Sequence, residues 1–222
     1  MVWLVDGDTG GDKMAKQKLQ KPLQLTARFT SAADYARQVH VNCRKATLVP
    51  FMAHLLGVAS LVMGENGEVD FPVTEDMVIA ALLHDAVEDE GGMPRLRDIA
   101  ANFGKDVARM VEGLTDSFAE DSSKKETWEQ RKSSYIKRLR KESQETLLVS
   151  VADKLYNARS IVADYRNEGP AVWKRFKRGR DQQLWYFNEL IKVFERTSSS
   201  RMVEELKRVV VELTQLSAGE MA

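Results

Sequence analysis

The stretch VIAALLHDAVEDE, residues 78–90, constrains the fold of this chain more than any other. Ile79, Ala80, Ala81, Leu82 and Leu83 run without a polar interruption, and Val87 follows, so the sequence predicts a largely buried helix. Into that helix are set His84 and Asp85, then Glu88 and Asp89. Residues four apart share a helix face, which puts His84 under Glu88 and Asp85 under Asp89. An imidazole buried among three carboxylates is costly unless a cation or a proton compensates. A metal ion is the simplest compensation.

The rest of the chain predicts an all-α protein. Prolines number only five, alternating apolar-polar runs are few, and helical periodicity recurs from about residue 30 onward. Helices are expected at roughly 30–43, 51–64, 74–89, 94–103, 104–116, 125–141, 143–165, 170–177, 180–197 and 199–217. Thr30-Ser31 and Thr74-Glu75-Asp76 read as helix starts, and Gly104 separates two helices. The first 25 residues lack a sustained period and are expected to be disordered or loosely docked. Residues 26–197 then form one domain, with a C-terminal helix over 198–222 packed on it.

Lys plus Arg equals Asp plus Glu, 33 against 33, so charge favours no nucleic-acid or membrane partner. Nothing approaches 18 consecutive apolar residues, and the opening MVWLVDGDTGGDK lacks the basic-then-apolar pattern of a secretory leader. The single cysteine, Cys43, excludes an internal disulfide framework and a thiolate zinc site, fits a reducing cytoplasm, and reads as a small buried residue.

Two further positions extend the metal argument. His54 lies in VPFMAHLLGVASLV on an apolar helical face, and Asp153 ends the apolar run LLVSVAD. Separate buried helices therefore deliver His54, His84 with Asp85, and Asp153. Imidazole and carboxylate together suit a first-row divalent ion such as Mn, Fe, Zn or Co.

The segments RKATLVPFMAHLLGVASL, IAALLHDAVEDE, FGKDVARMVEGLTD and VADKLYNARS resemble, in order and spacing, the hydrolase domain of RelA/SpoT-type alarmone enzymes. That domain belongs to the HD-domain metal-dependent phosphohydrolases, and the chain looks closest to the stand-alone small alarmone hydrolases. The resemblance implies a helical bundle with a metal site in its core, made by His54, His84, Asp85 and Asp153. It implies manganese as the ion, and Glu88 and Asp89 as the pair that activates and orients the attacking water. It further implies Arg44, Lys45 and Asn157 as nucleotide contacts, with Arg159 and Ser160 as neighbouring candidates.

The implied reaction is hydrolysis of the 3′-pyrophosphate of guanosine tetra- or pentaphosphate, by a hydrolase-only protein whose partner is a small-molecule nucleotide. The chain departs from the family between Lys45 and Pro50, where ATLV replaces a segment usually holding a Gly and an acid. Later, RFKRGRDQQLWYFNEL does not align with the family's substrate contacts, leaving Arg178, Arg180, Trp185 and Tyr186 as candidates. The altered loop after Lys45 keeps open another HD-type activity, such as removal of the 2′-phosphate of NADPH; a non-catalytic metal or nucleotide-binding module is a second alternative, which loss of a metal ligand would have favoured. In the basic run 121–141, Trp128, Tyr135, Ile136 and Leu139 are expected to face inward, which makes it an amphipathic helix at the pocket mouth rather than a nucleic-acid arm. His40 reads as structural.

Overall fold

A computed structural model describes residues 21–89, 91–118 and 126–218. It is all-α, as expected. In chain order the elements are α1 (Ala27–Val39), α2 (Phe51–Met63), α3 (Glu75–Leu83), the single turn α4 (Ala86–Asp89), α5 (Gly92–Phe103), α6 (Lys105–Leu114), α7 (Trp128–Leu139), α8 (Gln144–Glu168), a 3-10 helix (Gly169–Arg175), α9 (Gly179–Thr197) and α10 (Met202–Leu216). Among the described residues no strand forms; one isolated antiparallel bridge pairs Cys43 with Pro50.

Local chemistry accounts for most boundaries. The Thr74 hydroxyl accepts from the Met77 N–H and opens α3. At α7, Thr127 and Gln130 form a reciprocal capping box. Ser143 caps α8. The first helix starts earlier than Thr30-Ser31 suggested, because Thr26 takes the cap: its hydroxyl accepts from the Arg28 N–H while Glu75 accepts from the Thr26 N–H and hydroxyl.

The core forms around α3 and α8. From Met77 to Leu83 every residue of α3 is buried, with α1, α2, α6 and α8 packed about it. The 25-residue α8 crosses α2 and α3 on one side and supports α10, α9 and the 3-10 helix on the other. Its stretch from Thr146 to Asp153 is buried throughout, so the acid at position 153 ends an apolar run deep in the bundle. Trp128 packs partly buried on the core, and Tyr135, Ile136 and Leu139 are buried, as the pattern of α7 required.

Two expectations are corrected. The predicted helix 74–89 is broken: α3 ends at Leu83, His84 and Asp85 form a turn, and α4 restarts at Ala86. Cys43 is free and exposed rather than buried.

Candidate metal and phosphate site

The break between α3 and α4 lies at the metal-ligand candidates. His84 is buried, and its Nδ1 lies 2.8 Å from the Ala81 carbonyl, which can only accept; Nδ1 therefore carries a proton and Nε2 faces inward, free to bind an ion once its own proton is released. From α2, His54 brings its Nε2 to 3.2 Å from that of His84. Asp85 Oδ2 stands 3.4 Å from His54 Nε2 and 3.2 Å from His84 Nε2. Asp153 Oδ1 stands 3.4 and 3.6 Å from the same two nitrogens.

Ligand atoms about 2.1 Å from an ion and about 90–110° apart lie roughly 3.0–3.4 Å from each other, which matches this spacing. One proton between the two imidazoles would satisfy only one of these contacts, whereas a divalent cation would satisfy all of them. His54, His84 and Asp153 therefore fit a divalent ion, and Asp85 stands within 3.4 Å of both imidazoles.

The charges around this centre are strongly interdependent. Burial pulls the His84 imidazole down, but the Asp85 and Asp153 carboxylates outweigh it and hold it well above its ordinary range. At His54 burial dominates and the basicity falls. Burial pushes Asp153 up, yet the Lys154 ammonium and His84 hold it far below the usual carboxylate range.

Beside the centre lies a cavity of about 260 Å³, lined by Arg44, Lys132, Lys154 and Asn157 together with Trp128, Phe176, Gln183, Tyr186 and Phe187. Three of these side chains are cations and none is an acid. A neighbouring cavity of about 270 Å³ shares Arg44 and adds Lys45, Thr47, Tyr156, Ser160 and Arg175. Arg44 stands between the two, donating to Asn157 Oδ1 at 2.6 Å and to the Ser160 hydroxyl at 3.4 Å, with its guanidinium over the Tyr156 ring. Asn157 in turn donates through Nδ2 to Asp153 Oδ1, so the amide links the metal centre to Arg44.

Glu88 is half-buried on α4 and meets the Arg131 guanidinium at 3.3 Å. Burial and the Asp116 carboxylate push its carboxyl up to about 8, against the pull of Lys132. The Asp89 backbone closes α4, and its side chain lies outside the described part of the structure.

Other candidates go elsewhere. Arg159 is held by Glu205 of α10 and lines neither cavity. Arg178 pairs with Glu129, and Arg180 with Ser217 and Asp181. Tyr186 lines the cationic cavity, whereas Trp185 is exposed. His40 is buried and stacked on Phe51, a structural position.

Sequence reasoning missed Lys154, Asp116 and the individual choice of Lys132. Lys154 carried a faint signal, a cation directly after a buried acid; Asp116 carried none.

The loop that departs from the family pattern turns tightly, with Arg44 N–H donating to the Val49 carbonyl at 2.8 Å. Ala46 there adopts φ 57, a conformation in which glycine is at ease.

The model of the HD domain matches residues 32–183. The chain belongs to the HD-domain family. The chain is similar to a Xenopus tropicalis protein named guanosine-3′,5′-bis(diphosphate) 3′-pyrophosphohydrolase MESH1, with 33% identity over 175 residues, 78% of this chain and 88% of that protein. A solved structure described as a metazoan ortholog of SpoT that hydrolyzes ppGpp superposes with a TM-score of 0.68 at 26% identity, covering 86% of this chain and 97% of that one. A Listeria monocytogenes EGD-e protein superposes with a TM-score of 0.60 at 32% identity, covering 75% of this chain and 96% of that one.

Proposed function

We propose that the protein is a manganese-dependent pyrophosphohydrolase that removes the 3′-pyrophosphate of guanosine tetra- or pentaphosphate, leaving GDP or GTP. The observation that carries this reading is the cavity with three cations and no acid beside the buried cluster of His54, His84 and Asp153, a pairing suited to a substrate with clustered phosphates. Similarity to proteins named for this reaction supports it.

A divalent ion held by His54, His84, Asp85 and Asp153 would lower the pKa of water and screen the anionic phosphate. In its ionised form, the minor one at neutral pH for a carboxyl raised to about 8, Glu88 accepts the proton of the attacking water, and Asp89 helps to orient that water. Lys132 and Lys154 hold the pyrophosphate that leaves, while Arg44, Asn157 and Lys45 hold the nucleoside end across the two cavities. The hydrolase domain is assigned to 26–197, with 198–222 as an added C-terminal helix. A cytoplasmic setting suits the exposed thiol of Cys43.

Purified protein loaded with Mn and incubated separately with guanosine tetraphosphate, NADPH and simple nucleotides tests this reading. Chromatography should show GDP and pyrophosphate from the first. Inorganic phosphate released from NADPH, with guanosine tetraphosphate intact, would move the protein to another phosphohydrolase activity; no turnover of any substrate would favour a binding module.

A further inference from the structure

Asp116 has no part in the mechanism above, yet few acids in the molecule are as deeply committed. It follows α6 by two residues, its side chain is only 3% exposed, and each of its oxygens holds a different cation of α7. Oδ1 accepts from Arg131 Nη1, and Oδ2 accepts from Lys132 Nζ at 2.6 Å. The same Arg131 nitrogen lies 3.3 Å from Glu88 Oε1. One guanidinium nitrogen thus bridges Asp116 and Glu88, two acids that also meet through a side-chain hydrogen bond of their own, while the Arg131 Nε is buried without a partner and does nothing to orient the group.

Arg131 and Lys132 are successive cations with side chains only 15% and 17% exposed, and they repel each other without the carboxylate between them. Asp116 therefore decides where both point: Arg131 toward Glu88, and Lys132 over the Tyr186 ring at the cavity wall.

We infer that Asp116 is a positioning residue: it fixes Arg131 against Glu88 and so gives the carboxylate that handles the attacking water a single orientation. This rests on the reading of Glu88 as that carboxylate. A group misplaced by about 1 Å can cost about a hundredfold in rate, so a residue that only aims another can weigh heavily in turnover.

The test is a pair of double-mutant cycles on the Mn-loaded full chain. Asp116→Asn and Arg131→Met are each made alone and with Glu88→Gln, and metal content, thermal unfolding, kcat and KM are measured with guanosine tetraphosphate. If the wild type does not cleave that compound, bis(p-nitrophenyl) phosphate or another ester it does cleave takes its place, which separates the substrate reading from this one. Each single variant should keep its metal and lose about tenfold to a hundredfold in kcat. Neither should lose more once Glu88 is Gln, since the residue they act through is already gone. An equal loss in both backgrounds would mark a merely structural role and overturn the inference. So would an unchanged kcat with raised KM, which would assign Asp116 to Lys132 and substrate capture. Full turnover in Glu88→Gln alone would remove the reading of Glu88 and the inference with it. If Asp116→Asn does not fold, the Arg131→Met cycle decides by the same criteria.

Discussion

Asp153 and Glu88 are both acids near one centre, but their surroundings separate their roles. Asp153 directs Oδ1 at the two imidazoles, and Lys154 and Asn157 donate to it from its own helix, so its charge is kept in place. Glu88 stands off the ligand set against Arg131, with a carboxyl raised to about 8. Asp153→Ala should therefore lose the metal, and activity with it. Glu88→Gln has the same shape, still accepts from Arg131, and should keep the metal while losing about 10²–10⁴-fold in turnover, the usual worth of general acid–base assistance. Metal content by elemental analysis, beside single-turnover rates, separates the two; equal metal loss in both would make Glu88 a ligand.

At the scale of elements, the centre depends on how closely α2 approaches α8. Gly57 sits one turn after His54 on α2, and a Cβ built there would lie 2.0 Å from the Tyr156 ring of α8. The same ring makes an edge contact with His54. Glycine at 57 is thus what lets the helices carrying His54 and Asp153 come together. Gly57→Ala should push α2 and α8 apart and cost about 1–3 kcal/mol, the range for overpacking a close contact. It should also weaken metal binding more than a core substitution far from the centre does. Thermal unfolding and manganese titration measure both; unchanged metal affinity in a destabilised variant would show that the contact matters for packing alone.

For the whole molecule, His54, His84 and Asp153 come from α2, from the turn between α3 and α4, and from α8, so an ion bound among them would cross-link the core of the bundle. An ion that binds only the folded state at about a hundred times its Kd adds about 2.7 kcal/mol. For a chain of this size that corresponds to a rise in Tm of roughly 5–10 °C. Scanning calorimetry of chelated and Mn-reloaded protein should show that rise, and coincident curves would argue against a shared site.

The helical fold was legible because burial in this chain follows its apolar period: residues 77–83 of α3 are an unbroken apolar run, residues 147–152 of α8 are apolar but for Ser150, and both became the centre of the core. The gathering of His54, His84 and Asp153 was legible for the same reason, since ligand-type side chains inside apolar runs have few other ways to be satisfied. Local pattern could not show the break at His84 and Asp85, because the helical period continues unbroken through it and only packing decides where the backbone turns. Nor could it show that Arg159 reaches Glu205 instead of the cavity, or that Asp116 gathers Arg131 and Lys132 beside Glu88. Those pairings join residues 15 to 46 positions apart, and which partner a long charged side chain takes depends on the distances that remain once the helices have packed. The sequence by itself determined the element types and which ligand-type side chains are carried into the core, through hydrophobic period and residue chemistry; the tertiary structure alone decided which charges meet around them.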